Sequence, residues 1–135
     1  MSQIYGKIFS DNNLSETHLK IIELVGSGKE VLELGSSTGY LTRQLKANNC
    51  EVDVVEIDKD DAKAAEKFAR KAYVGSLEDP DVVGKIEEKY DVIVASNILE
   101  HLKNPSQALQ LIKDKLKPAG YIIIALPNIA CWAIR

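Results

Sequence analysis

The sequence predicts an α/β fold: an open, doubly wound parallel sheet of five strands with helices on both faces. Three observations carry this. Short apolar runs alternate five times with segments of helical periodicity. The first run, residues 31–34, breaks into the small-residue loop Gly35-Ser36-Ser37-Thr38-Gly39. The second run ends on a carboxylate, Glu56. At 135 residues, with no repeat or low-complexity stretch, residues 1–135 read as one domain with a single core.

Each element has a local reason. Residues 1–12 are weakly patterned and read as a loose arm or a lid. Asn13 with Glu16 resembles a capping box, and a helix then runs to Val25 with Leu14, His18, Ile21, Ile22 and Val25 on one face. Gly26-Ser27-Gly28 ends it. After the strand 31–34 and its loop, residues 40–46 read as a helix, with Leu41 and Leu45 one turn apart and Asn48-Asn49 closing it. Residues 50–56 alternate enough for a second strand. Residues 58–70 read as a helix, with Asp60 and Asp61 at its positive end and Ala62, Ala65, Phe68 and Ala69 as its core stripe. Residues 71–75 form a third strand. Asp79-Pro80 then starts a helix to about residue 89, weakened by Gly84. Residues 90–95 are a fourth strand. Asn104-Pro105 starts the next helix, Gln107 is placed to close its box, and Ala108, Leu109, Ile112 and Leu116 form its buried face. Residues 117–120 stop that helix, and residues 121–126 are the fifth strand.

Bulk composition excludes several classes. A net charge of −3 argues against a dedicated binder of nucleic acid or anionic membranes. Cys50 and Cys131 are too few and too separated for a disulfide framework or a C-x-x-C metal site, and no metal cluster is expected. The start lacks a basic-then-apolar signal segment, and no apolar run approaches the ~20 residues of a membrane span. A cytoplasmic protein with reduced thiols is the expectation.

The loop narrows the ligand. A dinucleotide turn wants G-x-G-x-x-G so that a pyrophosphate can touch the backbone. Ser37 and Tyr40 stand where its second and third glycines belong, which argues against an NAD-type domain. Glu33, just ahead of the loop, would repel a phosphate and suits a ligand carrying positive charge. Glu33-Leu34-Gly35-Ser36-Ser37-Thr38-Gly39 resembles the first motif of the class I S-adenosylmethionine (SAM) dependent methyltransferases: an acidic residue, an apolar residue, then G-x-G-x-G, departing only at Ser37. The nearest likeness is to ubiquinone-biosynthesis O-methyltransferases and methyltransferases associated with sugar transferases, over roughly residues 15–130. The resemblance implies a Rossmann-like sheet, SAM as cofactor, and methyl transfer to a small-molecule, sugar or lipid-precursor acceptor, at oxygen.

It also implies a set of contacts. Glu33, Gly35, Ser36, Ser37, Thr38, Gly39 and Tyr40 would form the cofactor loop. Glu56 lies 17 residues past Gly39, near the spacing at which a carboxylate meets ribose hydroxyls. Ile57 would lie against the adenine face. Ser76 stands where relatives usually carry an Asp for the adenine amino group, and Leu77 would offer a backbone N–H. Ser96 and Asn97 follow the fourth strand, where backbone carbonyls would take the amino group of the methionine moiety. The string Leu99-Glu100-His101-Leu102 is also the subgroup's, which makes His101 and Glu100 candidate catalytic residues: an imidazole can accept a proton from a substrate hydroxyl. A structural role for both weighs equally. His18 reads as a packed residue, although the resemblance puts it near the cofactor entrance.

The implied sheet has seven strands, the last antiparallel on the fifth. This chain is expected to lack the last two, as after truncation, leaving the fifth strand as an open edge through which a homodimer could pair. The apolar residues 129–134 could serve as a cover instead. A non-catalytic SAM-binding or interaction module is the alternative reading.

Overall fold

A computed structural model of the chain describes residues 16–126 and 132–134. The Asn13 cap, Leu14, the arm at 1–12 and Cys131 lie outside the described residues. The elements are α1 (Glu16–Val25), β1 (Glu30–Leu34), α2 (Tyr40–Ala47), β2 (Glu51–Glu56), α3 (Lys59–Ala65), β3 (Lys71–Val74), α4 (Pro80–Gly84) and β4 (Tyr90–Ser96). A 3-10 turn (Leu99–His101), α5 (Pro105–Lys113), β5 (Leu116–Ala125) and β6 (Trp132–Ile134) follow.

The strands lie in the order β3-β2-β1-β4-β5-β6. The first five are parallel, as their uninterrupted apolar runs require for a sheet buried on both faces. Alternate residues divide between two cores. Leu32, Leu34, Ile93 and Ala95 face α4 and α5, packing with Val82, Val83 and Ile112. Val31, Val92 and Val94 face the other side, with Ile21 and Val25 of α1, Leu41 and Leu45 of α2, and Ala65 of α3. Strand order reverses between β1 and β4, so a crevice opens there at the carboxyl ends of the strands.

The fifth strand differs from expectation at both ends. Its outer edge is paired: β6 runs antiparallel to it, with Ile122–Ile124 opposite 132–134. The cover expected of residues 129–134 is made at 132–134, and the expectation of an open fifth-strand edge is corrected. At its start, β5 begins at Leu116, which pairs with Tyr90, while Tyr121 pairs with Val92. Residues 117–120 thus bulge out of the ladder. Pro118 has no N–H to give it, and Ala119 adopts φ 68°. Leu116 consequently belongs to the sheet rather than to the buried face of α5. The helices α3 and α4 are also shorter than their patterns, stopping at Ala65 and Gly84.

The second strand hides an ion pair that alternation did not suggest. Asp53 is fully buried, takes Nε and Nη2 of Arg70 at 3.0 and 2.9 Å, and accepts the Tyr90 hydroxyl. Arg70 also meets Glu30 at 3.2 Å, and Lys117 from the β5 bulge meets Glu30 at 2.6 Å and Asp91 at 3.6 Å. This network ties β1, β2, β4 and β5 together at the end of the sheet opposite the crevice.

Candidate functional site

The loop after β1 is shaped by backbone geometry. Gly35 has φ 74° and donates its N–H to Val55 of β2 at 2.7 Å, turning the chain across the neighbouring strand. Its left-handed φ is what favours glycine, while a Cβ there would come within 2.7 Å of Ile98 Cδ1, the movable end of a side chain. Ser37 has φ 53°, a left-handed conformation that costs an L-residue about 1–2 kcal/mol. The departure from the resemblance's G-x-G-x-G is thus a substitution at a position whose backbone still has the shape of the missing glycine. Its N–H donates to Glu56 Oε1 at 2.7 Å. Gly39 has φ 95° and ends the loop where α2 begins.

Two carboxylates face this loop. Glu56, at the end of β2, is buried and held by two backbone donors, Ser37 N on Oε1 and Asp58 N on Oε2 at 2.9 Å. Each oxygen keeps a lone pair for a further donor. Glu33, in β1, is buried and accepts the Thr42 hydroxyl of α2. Burial pushes its pKa up to about 8, against the pull of the Thr42 hydrogen bond, and the charge on Glu56 adds to the rise. At the mouth of the site Asp61 is also raised, first by desolvation and then by Asp58, Glu56 and Asp60. Glu33 is thus held protonated up to about pH 8, and it is the charge on Glu56 that gives the crevice a negative potential favouring a cation.

Two cavities lie over the switch point and share Gly35, Ser37, Ser96 and Asn97, so they form one continuous cleft. The first, about 600 Å³, adds Glu33, Ser36, Thr38 and Tyr40 to those four, with His18 and Leu41. The second, about 560 Å³, adds Glu56, Ile57, Ser76, Leu77 and His101, with Ile98 and Leu102. Both volumes suit a drug-sized ligand. Ile57 is 71% exposed, an apolar side chain presented to the cleft. Asn97 has φ 55°, tolerated because Asn visits that region readily.

Of the residues singled out from sequence, two stand apart from the cleft. Gly39 lines neither cavity: a Cβ there would meet Ala65 Cα at 2.9 Å, so its role is the close approach of α2 to α3. Glu100 is exposed and lines neither cavity. The Ser76 hydroxyl is partly engaged, accepting from Glu78 N at 3.0 Å. His18, read as packed, lines the first cavity, and burial lowers its pKa. Ile98, Asp61, Glu78 and Leu102 also line the second cavity. Loops bring Ile98, Glu78 and Leu102 there, and the first turn of α3 brings Asp61. Among the described residues no cluster could hold a metal ion, and no helix is long and apolar enough to cross a membrane.

A parallel sheet with a cleft outside its switch point defines the class: an open α/β protein whose crevice lies at the carboxyl ends of the strands. The chain belongs to the methyltransferase-domain family, whose model matches residues 9–134. It is 26% identical over 124 residues to the ubiquinone biosynthesis O-methyltransferase of Shewanella pealeana, covering 87% of this chain and 52% of that protein. To the malonyl-[acyl-carrier protein] O-methyltransferase of Halalkalibacterium halodurans it is 27% identical over 104 residues, 72% of this chain and 38% of the relative. The chain thus spans about half the length, or less, of these curated relatives. Among solved structures it has the fold of a TehB-like SAM-dependent methyltransferase from Corynebacterium glutamicum (TM-score 0.69, 22% identity, 91% of this chain and 68% of that one). It is similarly close to the N-methyltransferase NodS of Bradyrhizobium japonicum, solved with S-adenosyl-L-homocysteine (TM-score 0.67, 21% identity, 86% and 63%).

Proposed function

We propose that this chain is the SAM-binding part of a methyltransferase acting at oxygen on a small-molecule, sugar or lipid-precursor acceptor. The observation that carries the reading is buried Glu56, clamped by two backbone N–H groups in the second cavity, with the buried carboxyl of Glu33 in the first half of the same cleft. These acceptors fit the hydroxyls of a cationic nucleoside and disfavour a pyrophosphate. The remaining lone pairs of Glu56 take the two ribose hydroxyls, and its backbone clamps fix their direction. Ile57 covers one face of the adenine, and Ser76 and Leu77 edge it. Glu33, Ser96 and Asn97 surround the amino group of the methionine moiety, while the backbone of residues 35–38 lines its path. When bound, SAM supplies a methyl group on a sulfonium, an electrophile that needs chiefly alignment with the acceptor's lone pair. His101, exposed on the wall of the second cavity, is in this reading the group that accepts a hydroxyl proton. Oxygen as the acceptor atom is supported by the names of the two O-methyltransferase relatives.

Calorimetry with S-adenosylhomocysteine tests the cofactor site. Glu56→Ala should weaken it by about 1–3 kcal/mol, the scale of a charge-assisted hydrogen bond. Equal affinity in a folded variant, or binding of NAD in place of the homocysteine nucleoside, would overturn the assignment. Release of S-adenosylhomocysteine with a panel of hydroxylated acceptors tests the transfer.

A further inference from the structure

The two walls of the second cavity are joined by one side chain that neither the loop motif nor the strand-end carboxylate involves. One wall is the segment after β3, where Gly75, Ser76, Leu77 and Glu78 line the cavity. The other is the segment after β4, which contributes Ile98, His101 and Leu102 and then enters α5. Glu78 spans them. Its Oε1 accepts Lys103 N at 3.1 Å and its Oε2 accepts Asn104 N at 2.9 Å. The same two bonds hold its carboxyl below its ordinary pKa.

Asn104 is the N-cap of α5, and its Oδ1 accepts Gln107 N at 3.1 Å. In a capping box the third helical residue would return its side chain to the cap's own backbone N–H. Gln107 does not: its Oε1 meets Asn104 Nδ2 at 3.3 Å. The cap N–H is served by Glu78 instead, from 26 residues earlier. The box is split between two loops, so seating α5 and setting the width of the cavity become one event.

We propose that Glu78 is a positioning residue that fixes the segment after β4 against the segment after β3, and so sets affinity for the ligand half held in the second cavity. This rests on the reading that the adenosine half of SAM binds there. Bringing both walls to one carboxylate preorganises the cavity, so the ligand does not have to order them.

The experiment compares Glu78→Gln with Asn104→Ala, by thermal melting and by calorimetry with S-adenosylhomocysteine and with adenosine. Glu78→Gln puts an amide NH₂ where one backbone N–H needs an acceptor. It should weaken both ligands by the same factor, roughly five- to tenfold. Asn104→Ala removes the side-chain cap but keeps the backbone N–H on Glu78. It should lower the melting temperature and leave both affinities near wild type. Wild-type affinity in Glu78→Gln would overturn the proposal. So would an equal loss in Asn104→Ala, since affinity would then merely follow the stability of α5. Failure of wild type to bind S-adenosylhomocysteine would instead remove the cofactor reading, and the proposal with it.

Discussion

Glu33 carries a stability cost that its position imposes. Burial keeps its carboxyl protonated up to about pH 8, whereas in the unfolded chain it ionises near the ordinary 4.5. The folded state therefore binds the extra proton between those values. The associated stability is complete below about pH 4.5 and is lost as pH rises through 8. Each unit of offset is worth about 1.4 kcal/mol. Glu33→Gln keeps the shape and an oxygen for the Thr42 hydroxyl but has no proton to lose. Melting curves from pH 5 to 9 should show the variant matching wild type near pH 5 and exceeding it at pH 8. An unchanged pH slope would place the loss in other groups. The residues of this cleft were unequally legible. Glu33 and Glu56 could be found because they sit at fixed offsets from a glycine loop, in strands whose other residues are apolar. Ser37 was legible as a departure, but only its φ of 53° shows that the backbone keeps the glycine shape. Glu78 was not legible as a bridge, because its partners lie 25 and 26 residues away and are backbone groups without a sequence signature.

At the level of elements, apolar runs and caps located α1 to α5 and β1 to β5 but not β6, and tertiary contacts decided where several of them stop. The caps Asp58, Asp79 and Asn104 each accept backbone N–H groups of the helix they begin, as short polar residues ahead of an acidic or proline first turn suggest. The helix expected to reach Arg70 ends at Ala65 because its last residues serve another element: Arg70 turns into the Asp53 and Glu30 network and its N–H donates to Val52 O at 2.7 Å. The bulge at 117–120 was read as a helix stop, since Pro and Gly punctuate both. Gly39 makes the same point for a motif. Its sequence context suggested a ligand contact, and its surroundings are Ala65 and Phe68 of the neighbouring segment. Gly39→Ala should therefore act on packing. Its Cβ would lie 2.9 Å from a backbone atom, in a left-handed conformation that alone costs about 1–2 kcal/mol. Chemical denaturation should show a loss of at least that size, with S-adenosylhomocysteine affinity of the folded fraction falling little. A variant as stable as wild type would mean that α2 and α3 can separate without cost.

Across the whole molecule the sheet has a functional end and a structural end. The carboxyl ends of β1, β2 and β4 carry loops with left-handed residues, exposed Ile57 and a protonated buried glutamate, all of which cost stability. The opposite end carries Asp53, Arg70, Tyr90, Glu30, Lys117 and Asp91, whose bonds cross four strands. Asp53 is the centre of it, and burial together with Asp53 raises the Tyr90 hydroxyl far above its ordinary value, so that it stays a donor. Removing one member of such a buried group is far costlier than its net contribution, because the partners stay buried and unpaired. Asp53→Ala should lower stability by roughly 3–5 kcal/mol. Asp53→Ala/Tyr90→Phe should recover part of that loss, since the orphaned hydroxyl goes with it. The two ends share no side chain in these contacts, so the single variant should bind S-adenosylhomocysteine normally at a temperature where it is folded. Denaturant melts and calorimetry on the same samples check both halves. A stability loss accompanied by an equal loss of affinity would show that the network reaches through β2 to Glu56 and that the two ends of the sheet are coupled.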